Sequence, residues 1–240
     1  MECLDQEKLI ADVRKAGYEI QTIDDLMKMS KENADLIPIL LEHLANITDE
    51  GDKAFLARCL TVKGFCQATK PLIQEFYQMT KDSPRWAIGN ALSIIADKSC
   101  SQEMVEIAKN RDFGMSRQMI VYDLWKFDDS EIKDVLVSLL NDETVVGHAV
   151  HALRRLGDPS VIPYLEPITS HKMTWIRNEA KAAIERLNKI KAKDLTGAKR
   201  KRPQKARQKD RLPVLPETDK VKCLSPNTDC SVRVRNWEAR

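Results

Sequence analysis

The 240 residues carry a formal charge of +3; an apolar fraction of 42% suffices for a packed core, while aromatics at 5% leave Leu, Ile, Val and Ala to fill it. No window approaches the roughly 18 apolar residues of a membrane span. The start, Met-Glu-Cys-Leu-Asp-Gln-Glu, lacks the basic opening and apolar stretch of a secretory signal, which speaks against a membrane or secreted protein and leads us to expect a soluble, cytoplasmic one. Six cysteines without a C-x-x-C pair read as reduced thiols.

Charge is unevenly placed: between Lys189 and Arg211 eleven Lys or Arg face only Asp194 and Asp210, a local +9 that leaves the remaining residues at −6.

Taken in chain order, residues 4–30 read as two short helices broken at Gly17 and restarted near Thr22, a cap on the first helix pair. Residues 34–47 place Leu36, Ile37, Leu40, Leu41 and Leu44 on one helical stripe, and 51–66 give a partner helix. Further pairs are predicted at 70–80 with 84–97, 100–109 with 115–128, 130–140 with 143–156, and 159–169 with 173–191. Proline in Asp82-Ser83-Pro84 opens a helix, and Leu156-Gly157-Asp158-Pro159 closes one and opens the next. No stretch alternates apolar with polar residues, so no sheet is expected.

The pairs repeat. Leu92, Leu124, Leu153 and Ile184 fall in register, with Ile95, Phe127, Leu156 and Leu187 three residues behind them. A period of roughly 30 residues is that of stacked helix pairs, none of which can bury its apolar face alone. The expected architecture is all-α, an alpha-alpha superhelix: a helical cap at 1–32, a solenoid at 33–191 and a basic, Pro-containing disordered tail at 192–240.

Two phrases, Leu153-Arg154-Arg155-Leu156-Gly157-Asp158-Pro159-Ser160-Val161-Ile162-Pro163-Tyr164-Leu165 and Trp175-Ile176-Arg177-Asn178-Glu179-Ala180, resemble HEAT repeats, in the short form also found in phycobilisome-lyase-like proteins. The likeness is good over 84–190 and fainter over 33–83. It implies a ladder of turn aspartates and second-helix arginines, here Asp112 with Arg117, Asp82 with Arg85, and Arg177 with His171 in the turn; the repeat containing Val146 departs from that pattern.

Helical geometry then separates two sets of columns. Ile88, Leu92, Ile95 and their equivalents Ile120, Leu124, Phe127, Ala149, Leu153, Leu156, Ala180, Ile184 and Leu187 form the core. The opposite columns hold Trp86, Asn90, Ser93 and Asp97, then Gln118, Tyr122, Trp125 and Asp129, then Gly147, His151, Arg154 and Asp158, then Asn178, Ala182, Glu185 and Lys189. The resemblance implies that second helices line the concave side. Aromatic rings beside Asn, Gln, His and Arg have the composition of binding hot spots, and the candidate groove residues are Trp86, Asn90, Gln118, Tyr122, Trp125, His151, Arg154 and Asn178. The plain alternative is that Trp86 and Trp125 tuck against neighbouring helices.

Chemistry is sparse. His148 and His151 stand at i, i+3 with no third ligand nearby, and no phosphate loop, nucleophile elbow or zinc-protease phrase occurs, so no catalytic residue, metal or cofactor is expected. The basic segment Lys199, Arg200, Lys201, Arg202, Lys205, Arg207, Lys209 and Arg211 would track phosphates, or act as a nuclear-import signal in a host with a nucleus. The first expectation is a non-enzymatic adaptor that holds a protein partner in its groove. The alternative is a nucleic-acid-associated protein contacting DNA or RNA through the tail; a HEAT-like DNA glycosylase and a chromophore lyase rank below both. Oligomeric state is not legible.

Overall fold

The computed structural model describes residues 2–198, with side chains as far as Lys193. The basic segment from Lys199 to Arg211, and the expectations placed on it, lie outside the described residues.

The described residues are helical, with no strand among them. Helix α1 (Gln6–Lys15) starts where the Asp5 side chain accepts from the Lys8 amide and stops before Gly17 at φ +92°. A capping box at Thr22 opens a 3-10 turn at Ile23–Lys28. Five pairs come next: α2 (Ile37–Ala45) with α3 (Glu50–Cys59), α4 (Thr69–Gln78) with α5 (Asp82–Ile95), α6 (Ser101–Lys109) with α7 (Gln118–Asp123), α8 (Ile132–Ser138) with α9 (Val146–Leu156), and α10 (Ile162–Leu165) with α11 (Thr174–Ala198). Some elements are shorter than the periodicity predicts. The helix expected at 115–128 is the end of a 3-10 turn in which Gly114 stands at φ +45°, one short α-helix and a second 3-10 turn. Pro163 and Pro167 divide the stretch before α11, while α11 itself continues to Ala198, past the expected end at 191.

Second helices build one continuous layer, α3 packing on α5, α5 on α7, α7 on α9 and α9 on α11. Beneath it a single apolar cluster runs from Leu4 to Leu187 and is built mostly of Leu, Ile, Val and Ala. Stability is therefore shared between neighbours, as nearest-neighbour stacking requires. The predicted core columns lie in this cluster or against it except Leu156, which is 37% exposed because it ends α9 just before Gly157 turns the chain away at φ +80°. Ser93, expected to face outward, is fully buried; its hydroxyl is satisfied by donating to the Asn90 carbonyl at 2.9 Å.

The arginine ladder takes a different course. Arg117 does not pair with Asp112, which is exposed; it is itself fully buried, donates to the Ala108 carbonyl at 2.7 Å, and reaches forward to Asp142 of the next turn at 2.5 Å. Its guanidinium bridges two repeats, with one acceptor in its own repeat and Asp142 and Thr144 in the following turn. Asp142 also accepts from the Thr144 amide and hydroxyl. Burial raises its pKa, but the bonds from Thr144 and Arg117 outweigh that and hold the carboxyl below its ordinary range. Arg85 stands 3.8 Å from Asp82 but donates mainly to the carbonyls of Phe76 and Met79. Arg177 donates to the carbonyls of His171 and Lys172. Each arginine thus secures the turn between the two helices of its own repeat, and among the three only Arg117 also grips the next repeat.

Candidate functional site

Two cavities open along the second-helix layer. The first, about 470 Å³, is lined by Arg58 of α3, by Asp82, Ser83 and Trp86 of α5, and by Met115, Ser116 and Gln118. Trp86 is 38% and Met115 57% exposed, so both present apolar surface to the opening. The walls are tied together where Ser116 donates to the Asp82 carbonyl and to its carboxylate at 3.2 Å each. They approach closely because Gly89 has no side chain: a Cβ there would stand 2.8 Å from the Ser116 carbonyl oxygen.

The second cavity, about 370 Å³, is lined by Met119 and Tyr122 of α7, by Gly147, His148, His151 and Arg154 of α9, and by Trp175 and Glu179 of α11. Its geometry depends on a glycine. A Cβ on Gly147 would fall 1.8 Å from the Trp175 ring, so that ring lies on α9 only because position 147 has none. Trp175 nevertheless remains 48% exposed. Opposite it Tyr122 stacks on His151 with ring centroids 3.8 Å apart and planes 13° from parallel, and His148 meets both Tyr122 and Trp175 edge-on.

Charge at this cavity is internally paired. Glu179 Oε1 lies 3.1 Å from Arg154 Nε and 3.1 Å from His151 Nδ1, while Arg154 Nη2 lies 3.3 Å from the same His151 nitrogen. A protonated Nδ1 donates to the carboxylate, whereas a bare one accepts from the guanidinium. Burial depresses the pKa of His151; Glu179 opposes that, and Arg154 and Arg155 reinforce it. Burial, aided by the neighbouring His151, pushes His148 down to about 4, so it stays neutral at physiological pH. Stacked rings, a neutral His148 and a paired carboxylate suit noncovalent recognition. Among the described residues no group of three or more His, Cys, Asp or Glu is placed to hold a metal.

Of the expected groove residues, the structure brings Trp86 and Gln118 to the first cavity and Tyr122, His151 and Arg154 to the second. Gln118 also bridges repeats, donating to the Thr144 carbonyl at 2.9 Å. Asn90 is half-buried and Asn178 exposed, and neither lines the two cavities. Trp125 packs against the core, and the Arg155 guanidinium lies 4.4 Å from its ring centroid, so its face is covered instead of free. Gly147, placed on the outward columns, is buried beneath Trp175.

Arg58, Asp82 and Ser116 were missed, and so, as groove residues, were Ser83, Met115, Met119, His148, Trp175 and Glu179. The latter group's signal was present in the register. One turn before the column of Trp86 and Gln118 stand Ser83, Met115, Thr144 and Trp175, and one residue after it stand Ala87, Met119, His148 and Glu179.

Residues 101–185 match the family model of HEAT repeats. Over that stretch the chain is a HEAT-like repeat protein. The matched segment holds the second cavity whole, from Met119 to Glu179, whereas Trp86 and Arg58 of the first precede it. No curated protein matches the chain. Among the described residues no helix is long and apolar enough to cross a membrane.

Proposed function

We propose that this HEAT-like repeat protein is a non-enzymatic adaptor that binds a protein segment along its second-helix layer, the concave wall of a superhelix. The carrying observation is Trp175: one side of its ring rests on Gly147 and the rest, 48% of the residue, is exposed beside the Tyr122–His151 stack. An anchored but uncovered indole on a rigid helix resembles the aromatic anchors that dominate protein interfaces. Trp86, 38% exposed on the same layer, supports the reading, as does the general use of HEAT repeats in protein interaction.

The competing reading is a nucleic acid held by the basic residues from Lys199 to Arg211. One comparison tests both. Full-length chain and the Trp175→Ala variant are used to capture partners from lysate, with and without nuclease, and circular dichroism checks the fold. Loss of specific protein partners in the variant at unchanged helicity supports the adaptor. Capture that survives the variant but disappears with nuclease favours nucleic acid.

A further inference from the structure

The two cavities share one wall. Gln118 lines the first and its neighbour Met119 the second, so an occupant of one meets the other within a single chain path. The charge around that path is biased. By sequence, α9 and the described part of α11 carry Arg154, Arg155, Arg177, Lys181, Arg186, Lys189 and Lys191 against Glu179 and Glu185. Glu179 is already engaged by Arg154 and His151, and Glu185 by Lys189. Arg58, at the far end of the first cavity, and Arg155, Lys181 and Arg186 have no carboxylate partner among the described residues. The first helices show the opposite bias, α6 and α8 with the preceding Glu131 carrying Glu103, Glu106, Glu131 and Asp134 against Lys109 and Lys133.

We infer that the second-helix layer takes an extended acidic peptide carrying two large apolar side chains, one for each cavity. This rests on the adaptor reading of that layer and adds the chemistry of the partner. Met115 and Trp86 give one anchor an apolar seat beside Arg58; Met119, Tyr122 and Trp175 give the other its seat beside Arg154. Methionine walls adapt to side chains of differing shape. The spacing is set by the stack. The first cavity is centred over α5 and the second over α9, two helices apart, which at packing distances of 8–10 Å is roughly 16–20 Å. An extended chain advances about 3.3 Å per residue, so the anchors stand about five or six positions apart. A nucleic acid fits this face less well, because its phosphates need cations all along the path. Here Arg58 is the single cation of the first cavity, which it shares with Asp82, and Arg154 that of the second.

The test is selection of phage-displayed random dodecapeptides on the full chain, followed by fluorescence anisotropy of the enriched peptides. The expected pool is net acidic with two large apolar residues five or six positions apart, and Trp86→Ala and Trp175→Ala each weaken it at least tenfold at unchanged helicity. Arg58→Glu with Arg155→Glu should weaken it by a similar factor. A neutral or basic pool that still depends on both tryptophans overturns the acidic assignment and leaves the adaptor reading standing. A pool indifferent to both overturns the adaptor reading of this face as well. No enrichment, or displacement of the peptides by a 20-mer of thymidylate at physiological salt, overturns the inference, the second result in favour of a nucleic acid.

Discussion

Two neighbouring repeat junctions use the same positions for opposite ends. Between α7 and α9 the chain buries Arg117, ties it to Asp142 and leaves the ladder closed. Between α9 and α11 the position equivalent to Arg117 is Val146, and the junction is filled by a tryptophan lying on a glycine, nearly half of it exposed. The first junction spends a charged pair on fixing the register of two repeats. The second pairs its charges with one another and leaves apolar surface of Trp175 exposed, which serves recognition better than stability. What separates them is the column occupied by Arg85, Arg117, Val146 and Arg177: at Val146 an apolar residue replaces the guanidinium, so the repeat of α9 has no arginine to reach forward to the next turn.

Breaking the closed junction should have the largest effect. Arg117→Ala leaves buried Asp142 with only the Thr144 bonds and the exposed Arg111 at 3.6 Å, and losing one partner of a buried pair costs up to about 3–5 kcal/mol. Urea unfolding should show this, with loss of cooperativity between the repeats on either side; a variant within about 1 kcal/mol of wild type would show that the pair contributes little.

The open junction should respond to acid. His148 is depressed from 6.5 to about 4, so between those values the unfolded chain binds more protons than the folded one. Its contribution is therefore complete above pH 6.5, falls as pH drops toward 4 and is constant below that, a total of roughly 3 kcal/mol by linkage. His151, shifted in the same direction, adds to it. Stability measured across this window should flatten in His148→Gln.

A smaller effect comes from Gly147→Ala. The new Cβ expels the Trp175 ring, yet a glycine-to-alanine change in the first turn of a helix itself gains something, less than the roughly 1 kcal/mol of a helix interior. Net stability should move by less than about 1 kcal/mol while Trp emission, compared with Trp175→Phe, shifts to the red. Unchanged emission would show that the ring does not depend on the bare backbone. Least of all should Lys98→Ala matter: its pair with Asp128 is 61% and 70% exposed, and the loss should be about 0.5 kcal/mol or less and vanish in salt.

Much of the architecture was legible because stacking repeats itself. The register that aligns Leu92, Leu124 and Leu153 needs only helical geometry, and those residues are buried. Candidate-site residues were read less completely. Trp86, Gln118, Tyr122, His151 and Arg154 stand on the outward columns, whereas Trp175 and Glu179 lie on columns one turn or one residue away and enter the cavity only because α11 packs on α9. Trp125 lay in an outward column but is covered by Arg155, a contact between residues on different helices that periodicity does not encode.

The sequence by itself determined the helices, their pairing and the apolar face, since a 3.6-residue period and capping chemistry act within one repeat. Only the tertiary structure decided which partner Arg117 finds and what rests on Gly147. Both depend on the distance between one repeat and the next, and that distance is set by how whole side chains pack across the junction.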